Sequence, residues 1–138
     1  MPFLPYLFFG GTCRAALTRY QEILGGELDV MSMSDMPPGE AEVPPEHTDL
    51  VMHGALRVGD GVLMASDDPS PDFSPPRAMC VHYGVADVDE AERIFAALAD
   101  GGEITMPMAE TFWAPRFGSC VDRFGIPWMI SAEPPAGD

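Results

Sequence analysis

Positive charge is scarce in this chain. Only seven of its 138 residues are Lys or Arg, against 22 Asp and Glu, and the formal net charge is −15. Such a surface repels phosphate backbones and anionic lipid, which argues against nucleic acid and membrane partners and leaves solubility as the ordinary role of the acidity. Cysteine is sparse too, with Cys13, Cys80 and Cys120 far apart. Their odd number and spacing exclude a zinc ribbon and a CxxC redox pair, and the expected state is a set of buried reduced thiols. No uncharged apolar run approaches the roughly 18 residues of a membrane span. The opening "MPFLPYLFFGG" lacks the basic region of a secretory signal, so a cytoplasmic location is expected. The length fits one domain, and a hydrophobic fraction of 46% supplies a core without disulfides.

Two segments carry helical periodicity. In the first, Thr12 is the expected cap, Cys13, Ala16, Leu17, Tyr20, Ile23 and Leu24 share one face, and Gly25-Gly26 ends the run. In the second, Asp87 is the expected cap, Val88, Ala91, Ile94, Phe95 and Leu98 form the stripe, and Gly101-Gly102 ends it. Each helix lies between apolar extended runs, "FLPYLFFGG" and "ELDVMSMS" around the first, "AMCVHYGV" and "EITMPMAE" around the second. At an offset of 75, later 76, Leu7 meets His82, Tyr20 meets Phe95, and "GGEL" meets "GGEI". The chain reads as one module written twice. Each half also offers a hairpin: "LVMHGALRV" turns into "VLMAS" with Asp60-Gly61 supplying the positive φ angles, and "RFGSCV" turns through "DRFG" into "IPWMISAE". The expected fold is therefore α+β, with tandem βαβββ modules at about 1–66 and 78–133. The proline-rich 67–77 joins them, and a second proline-rich loop, 35–49, is expected to be either a mobile cover or disordered.

The segments "PYLFFGGTCRAALTRYQEILGGEL", "VMHGALRVGDGVLMASD" and "GGEITMPMAETFWAPRFGSCVDRFGIPWMIS" cover most of the chain outside the two proline-rich loops. With them the sequence resembles the vicinal oxygen chelate superfamily of glyoxalase I, fosfomycin and bleomycin resistance proteins and extradiol dioxygenases, and more narrowly its PhnB-like branch. The resemblance implies strongly curved mixed sheets, a cavity between the modules, and a homodimer. Whether the modules pair within or across chains is left open. Some PhnB-like proteins carry the label of a ubiquinone-pathway methyltransferase. Against that activity stands the lack of a glycine-rich strand-to-helix turn, since the glycine pairs read as ending helices instead of opening them. A phosphonate substrate has no support in the residues of so acidic a chain.

Metal-dependent members of the superfamily hold one divalent ion at four strand places, which the resemblance puts near Pro5, Met64, Cys80 and Met129. None of these is a carboxylate, amide or imidazole, so no metal and no other cofactor is expected. The rival reading is a metal-dependent lyase, isomerase or transferase whose ion is held by His82 with His53 and Cys80, Cys80 and His82 sharing a strand face. The bland reading makes His82 a hydrogen-bonded strand residue and Cys80 a core thiol. Met31, Met33, Met52, Met64, Met79, Met106, Met108 and Met129 all fall in expected strands, as core packing or as the wall of an adaptable pocket. Phe112 and Trp113 stand beside an expected strand break at Pro115, where aromatics border a cavity. Trp128 and Phe124 read as core and turn packing, and Arg116 as a counter-charge for an anionic ligand or a partner in a surface ion pair. The expected function is binding of a small, mostly apolar molecule with Met64, Cys80, His82, Phe112, Trp113 and Arg116 as candidate contacts.

Overall fold

Apolar stripes and glycine breaks place the elements where local chemistry requires. The computed structural model describes residues 2–35, 37 and 44–133, and divides into two compact units that meet at Ser74 and Pro75. The first unit runs β1 (Tyr6–Phe9), α1 (Cys13–Leu24), β2 (Glu27–Ser32), β3 (Val51–Val58) and β4 (Gly61–Asp67). The second runs β5 (Val81–Val85), α2 (Val88–Ala99), β6 (Glu103–Ala109), β7 (Arg116–Val121) and β8 (Pro127–Ala132). Both sheets are mixed and four-stranded, in the orders β1-β4-β3-β2 and β5-β8-β7-β6, with one parallel pair each (β1 with β4, β5 with β8). The duplicated βαβββ architecture expected from the sequence is present.

Each helix covers one sheet face. Cys13, Ala16, Leu17, Tyr20 and Ile23 of α1 are buried, as are Ala91, Ile94, Phe95 and Leu98 of α2. Asp87 caps α2 through the Asp89 amide. Thr12 makes no side-chain cap bond on α1, contrary to expectation. The Asp67 carboxylate replaces it, accepting from the amides of Gly11 and Cys13 at 3.0 Å each, while its other oxygen accepts from Val51 at 2.9 Å. A residue at the end of β4 thus caps a helix more than fifty residues earlier and ties β3 to both. Asp122 has a different part in the second unit, holding the β7–β8 turn: its Oδ1 accepts from the Phe124 and Ile126 amides and its Oδ2 from the Trp128 indole at 2.9 Å. Trp128, 1% exposed, is core as expected.

The "GG" repeat has a packing cause. A Cβ on Gly26 would lie 2.2 Å from the Arg57 carbonyl, and one on Gly102 would lie 2.1 Å from the Val121 carbonyl, so in both units the chain leaves the helix hard against a hairpin strand.

Several local expectations are corrected. The first hairpin turns within the expected 59–61, but the positive φ is at Gly59 (+56) and not at Asp60 or Gly61, the pattern of a type II′ turn. Met33 lies in a 3₁₀ turn and Met79 precedes β5, so neither is a strand residue. The overlay of β1 on β5 shifts by one: Tyr6 pairs with Met64 as His82 pairs with Met129, making Tyr6, not Leu7, the counterpart of His82. One residue separates β1 from β5 in its distance to the following helix, and a one-residue slip exchanges the faces of a strand. The 67–77 segment divides between the units, with Asp68 donating to the Phe9 carbonyl and Phe73 lying on Gly10 in the first, and Pro75 beside Gly125 in the second. Residues 36 and 38–43 of the loop expected at 35–49 fall outside the described residues; of the part described, Pro45–His47 forms a 3₁₀ turn.

Candidate functional site

Alternation along the strands of the second unit sends one set of side chains toward α2 and the other to the open face of the sheet. Val81, Tyr83, Trp128, Ile130 and Ala132 take the helix side, and His82, Gly84, Met129 and Ser131 the open side. Phe117 joins the open side because it stands opposite Ser131. Beyond β8 the Glu133 amide donates to the Val85 carbonyl at 2.8 Å, extending the parallel ladder and returning the Glu133 side chain to the same face.

These positions form a polar chain. His82 Nε2 lies 2.9 Å from Ser131 Oγ, and Ser131 Oγ donates to Glu133 Oε1 at 3.2 Å. A hydroxyl has one proton, and with that proton on the carboxylate the imidazole Nε2–H is the donor to Ser131. His82 Nε2 is also 3.6 Å from Glu133 Oε1. Gly84 makes room for this arrangement, since a Cβ there would stand 2.6 Å from the Glu133 carboxyl carbon and from Oε1. Ser131, 3% exposed, holds the centre of the chain.

An aromatic wall stands beside it. The loop ahead of β7 is closed by the Thr111 amide donating to the Ala114 carbonyl at 3.0 Å and by the Ala114 amide donating to Thr111 Oγ1 at 3.1 Å. Phe112 and Trp113 are at its tip. Trp113 packs edge-on against Phe117, with ring centroids 5.4 Å apart, and against Phe112 at 4.7 Å. Trp113 keeps 53% of its surface exposed. His82, Trp113, Ala114, Phe117, Ser131 and Glu133 enclose a pocket of about 260 Å³. This is slightly below the roughly 300–1,000 Å³ usual for small-molecule sites, enough for one ring-sized group.

The sequence candidates divide. His82 and Trp113 meet in this pocket. Phe112 is 97% exposed and touches it only through Trp113. Cys80 is exposed and lines a separate apolar depression with Met79, Thr105, Ser119 and Met129. Met64 belongs to the first unit, half-buried between Tyr6 and Ala55. Arg116 stands on the opposite side of the sheet from Phe117, where its Nε donates to Glu92 of α2 at 3.1 Å, so the ion-pair reading describes it. Ser131, Glu133 and Phe117 were missed by the sequence reading. The signal for the first two was the polar pair in "MISAE", spaced two apart like His82 and Gly84 in the partner strand.

The cysteines are not all buried thiols, as had been expected. Cys13 and Cys120 are buried and Cys80 is exposed. Burial, reinforced by the nearby Asp67 carboxylate, pushes the Cys13 thiol from its ordinary 9.0 up to about 12. Burial and then Asp122 push Cys120 to about 11.

Among the described residues the expected donors suit a divalent ion poorly. At the four places implied by the family resemblance stand a proline, two thioethers and an exposed cysteine, a poor set for a hard or borderline cation. His53, the other imidazole proposed, belongs to the first unit, where its Nδ1 is 3.2 Å from the Tyr6 hydroxyl. Among the described residues no three His, Cys, Asp or Glu side chains come together as a ligand set. Contrary to the expectation that the glycine pairs end helices, Gly10-Gly11 opens α1. Yet the Gly11 and Cys13 amides already donate to Asp67, so this turn does not offer them to a phosphate.

A 3-demethylubiquinone-9 3-methyltransferase family model matches residues 2–131. Protein YjdN of Escherichia coli (strain K12) is 35% identical over 95% of each chain. The crystal structure of protein PA1353 from Pseudomonas aeruginosa is 40% identical, covers 98% of this chain and 99% of its own, and superimposes with a TM-score of 0.84. The fosfomycin resistance protein FosX of Listeria monocytogenes, 10% identical, shares the fold with a TM-score of 0.63 over 96% of this chain and 93% of its own. Among the described residues no helix is long and apolar enough to cross a membrane. With the duplicated βαβββ modules, these likenesses show that the chain belongs to the PhnB-like 3-demethylubiquinone-9 3-methyltransferase family, which has the vicinal oxygen chelate fold.

Proposed function

We propose that the protein binds a small, mostly apolar ligand on the open face of its second sheet, in the pocket of His82, Trp113, Phe117, Ser131 and Glu133, without a protein-held metal ion. The observation that supports this reading most directly is the half-exposed Trp113 ring braced by Phe117 beside an ordered polar chain. Aromatic walls with a few fixed polar groups are the general form of small-molecule sites. The absence of a three-donor cluster among the described residues favours this over the metal-dependent alternative. The reading is of a cytoplasmic binding protein, working as a homodimer.

Trp113 supplies the test, because Trp128 is buried and Trp113 is not. Titration with the neutral probe 2-phenylethanol is expected to change tryptophan emission saturably, with a Kd on the order of millimolar for so small a molecule. Trp113→Ala abolishes the change. Elemental analysis of protein purified without chelator is expected to find divalent metal far below one per chain. A stoichiometric ion lost in His82→Ala, or probe binding indifferent to Trp113→Ala, would defeat the reading.

A further inference from the structure

We propose that this pocket selects organic cations, taking a protonated amine on the Glu133 carboxylate and the body of the ligand against Trp113 and Phe117. The inference rests on the ligand-binding reading above and adds the charge of the ligand. Four observations carry it.

First, the donors inside the pocket are largely spent while a charged acceptor is not. The Ser131 proton goes to Glu133 Oε1 and the His82 Nε2–H to Ser131, and among the described residues Glu133 Oε2 has no hydrogen-bond partner. A carboxylate accepts about four hydrogen bonds. Among the described residues, the side-chain donor of the lining left over is the Trp113 indole N–H, and it is neutral. Glu133 is the carboxylate among the lining residues.

Second, Glu133 is positioned instead of merely present. Its backbone is pinned to Val85, its Oε1 to Ser131, and Gly84 leaves the volume that its carboxylate fills. A glycine whose Cβ would meet a carboxylate at 2.6 Å is a cradle for that group.

Third, no arginine neutralises it. All seven basic residues are arginines. Arg116, one position from Phe117, is turned to the other face and held by Glu92. Arg14 bonds Ser32; Arg19, Arg57, Arg93 and Arg123 pair with Glu22, Asp29, Glu90 and Asp100; and among the described residues Arg77 makes no ion pair with Glu133.

Fourth, the aromatic wall suits a cation's body. A tryptophan face attracts an ammonium or guanidinium through its quadrupole, and the net charge of −15 raises the local concentration of cations around the whole molecule.

The test uses three probes with one body and three charges: phenethylamine (cationic at pH 8), 2-phenylethanol (neutral) and 3-phenylpropionate (anionic), titrated by calorimetry at 0.15 M salt. The amine is expected to bind about tenfold tighter than the alcohol, and the acid to show no binding. Glu133→Gln brings the amine to the affinity of the alcohol and leaves the alcohol unchanged. Gly84→Ala, which pushes the carboxylate aside, lowers the amine preference partway. Asp60→Asn, in the hairpin turn of the first unit, removes the same charge elsewhere and keeps the preference, so that a general effect of acidity is separated from Glu133. Equal affinity for all three probes, preference for the acid, or an amine preference that survives Glu133→Gln or vanishes in Asp60→Asn overturns the inference. Equal binding of all three still leaves an apolar pocket, whereas failure of every probe to bind defeats both readings.

Discussion

Replacing Asp67 removes an acceptor on which three backbone amides depend. Two of them, Cys13 and Val51, are buried, and the third, on the exposed Gly11, regains water more easily. A buried amide left without a partner costs about 1–3 kcal/mol. For Asp67→Ala the two buried amides therefore cost about 4 kcal/mol together, a large part of the roughly 5–15 kcal/mol that holds a domain folded. Asp67→Asn is gentler. Its single carbonyl oxygen still serves Gly11 and Cys13, but its NH₂ then faces the Val51 N–H, donor against donor, for a loss of about 2 kcal/mol. Urea unfolding followed by circular dichroism measures both, with the Asn variant intermediate and the m-value unchanged. The Asn variant keeps the measurement possible if the Ala variant does not fold. Asp67→Ala within 1 kcal/mol of the parent, or Asn and Ala equal, would refute the assignment of Asp67 as the cap of α1 and the tie to β3.

The thiols give a second prediction: a thiol reagent at pH 8 titrates one cysteine, Cys80, in the native protein and three in urea. The same burial sets a pH dependence. In the unfolded chain Cys13 and Cys120 ionise from pH 9, while the fold holds them protonated to about 12 and about 11. Their contribution is therefore complete below pH 9 and is lost as pH rises through those values, and Cys13→Ala removes about half of this alkaline slope between pH 9 and about 11. A third prediction contrasts two glycines of the second unit. A Cβ on Gly118 would meet Met108 Sδ at 2.8 Å, Phe95 Cε1 at 2.9 Å and the Met106 carbonyl at 3.0 Å, so Gly118→Ala costs about 1–3 kcal/mol in chemical unfolding. Gly84→Ala meets only the movable end of Glu133 and costs less than about 1 kcal/mol.

Helix periodicity, paired glycines and the repeated "GGE" made the duplicated module legible in the amino-acid sequence, because each reports a local constraint. Register was harder to read. The overlay of Leu7 on His82 fails by one residue because the turn after β5 is one shorter than the turn after β1, and spacing to a helix start does not reveal which of two turns lost a residue. Thr12 looked like a cap because capping preferences are local, whereas Asp67 reaches α1 through the fold. The aromatic part of the site was visible in "TFWAPRFG", and His82 stood out as a strand imidazole. Ser131 and Glu133 did not, since polar residues at a strand end are common and only the β5–β8 pairing sets them against His82. Arg116 was drawn as a ligand contact by its rarity, but alternation across β7 puts it on the helix side.

Amide and indole ¹H–¹⁵N spectra during titration with phenethylamine test the pocket most directly. Saturable shifts of the His82, Ser131 and Glu133 amides and of the Trp113 indole, with the buried Trp128 indole and α1 unmoved, are the expected result. Shifts that centre on other residues, or that grow linearly without saturating, would contradict a binding site on this face of the second sheet.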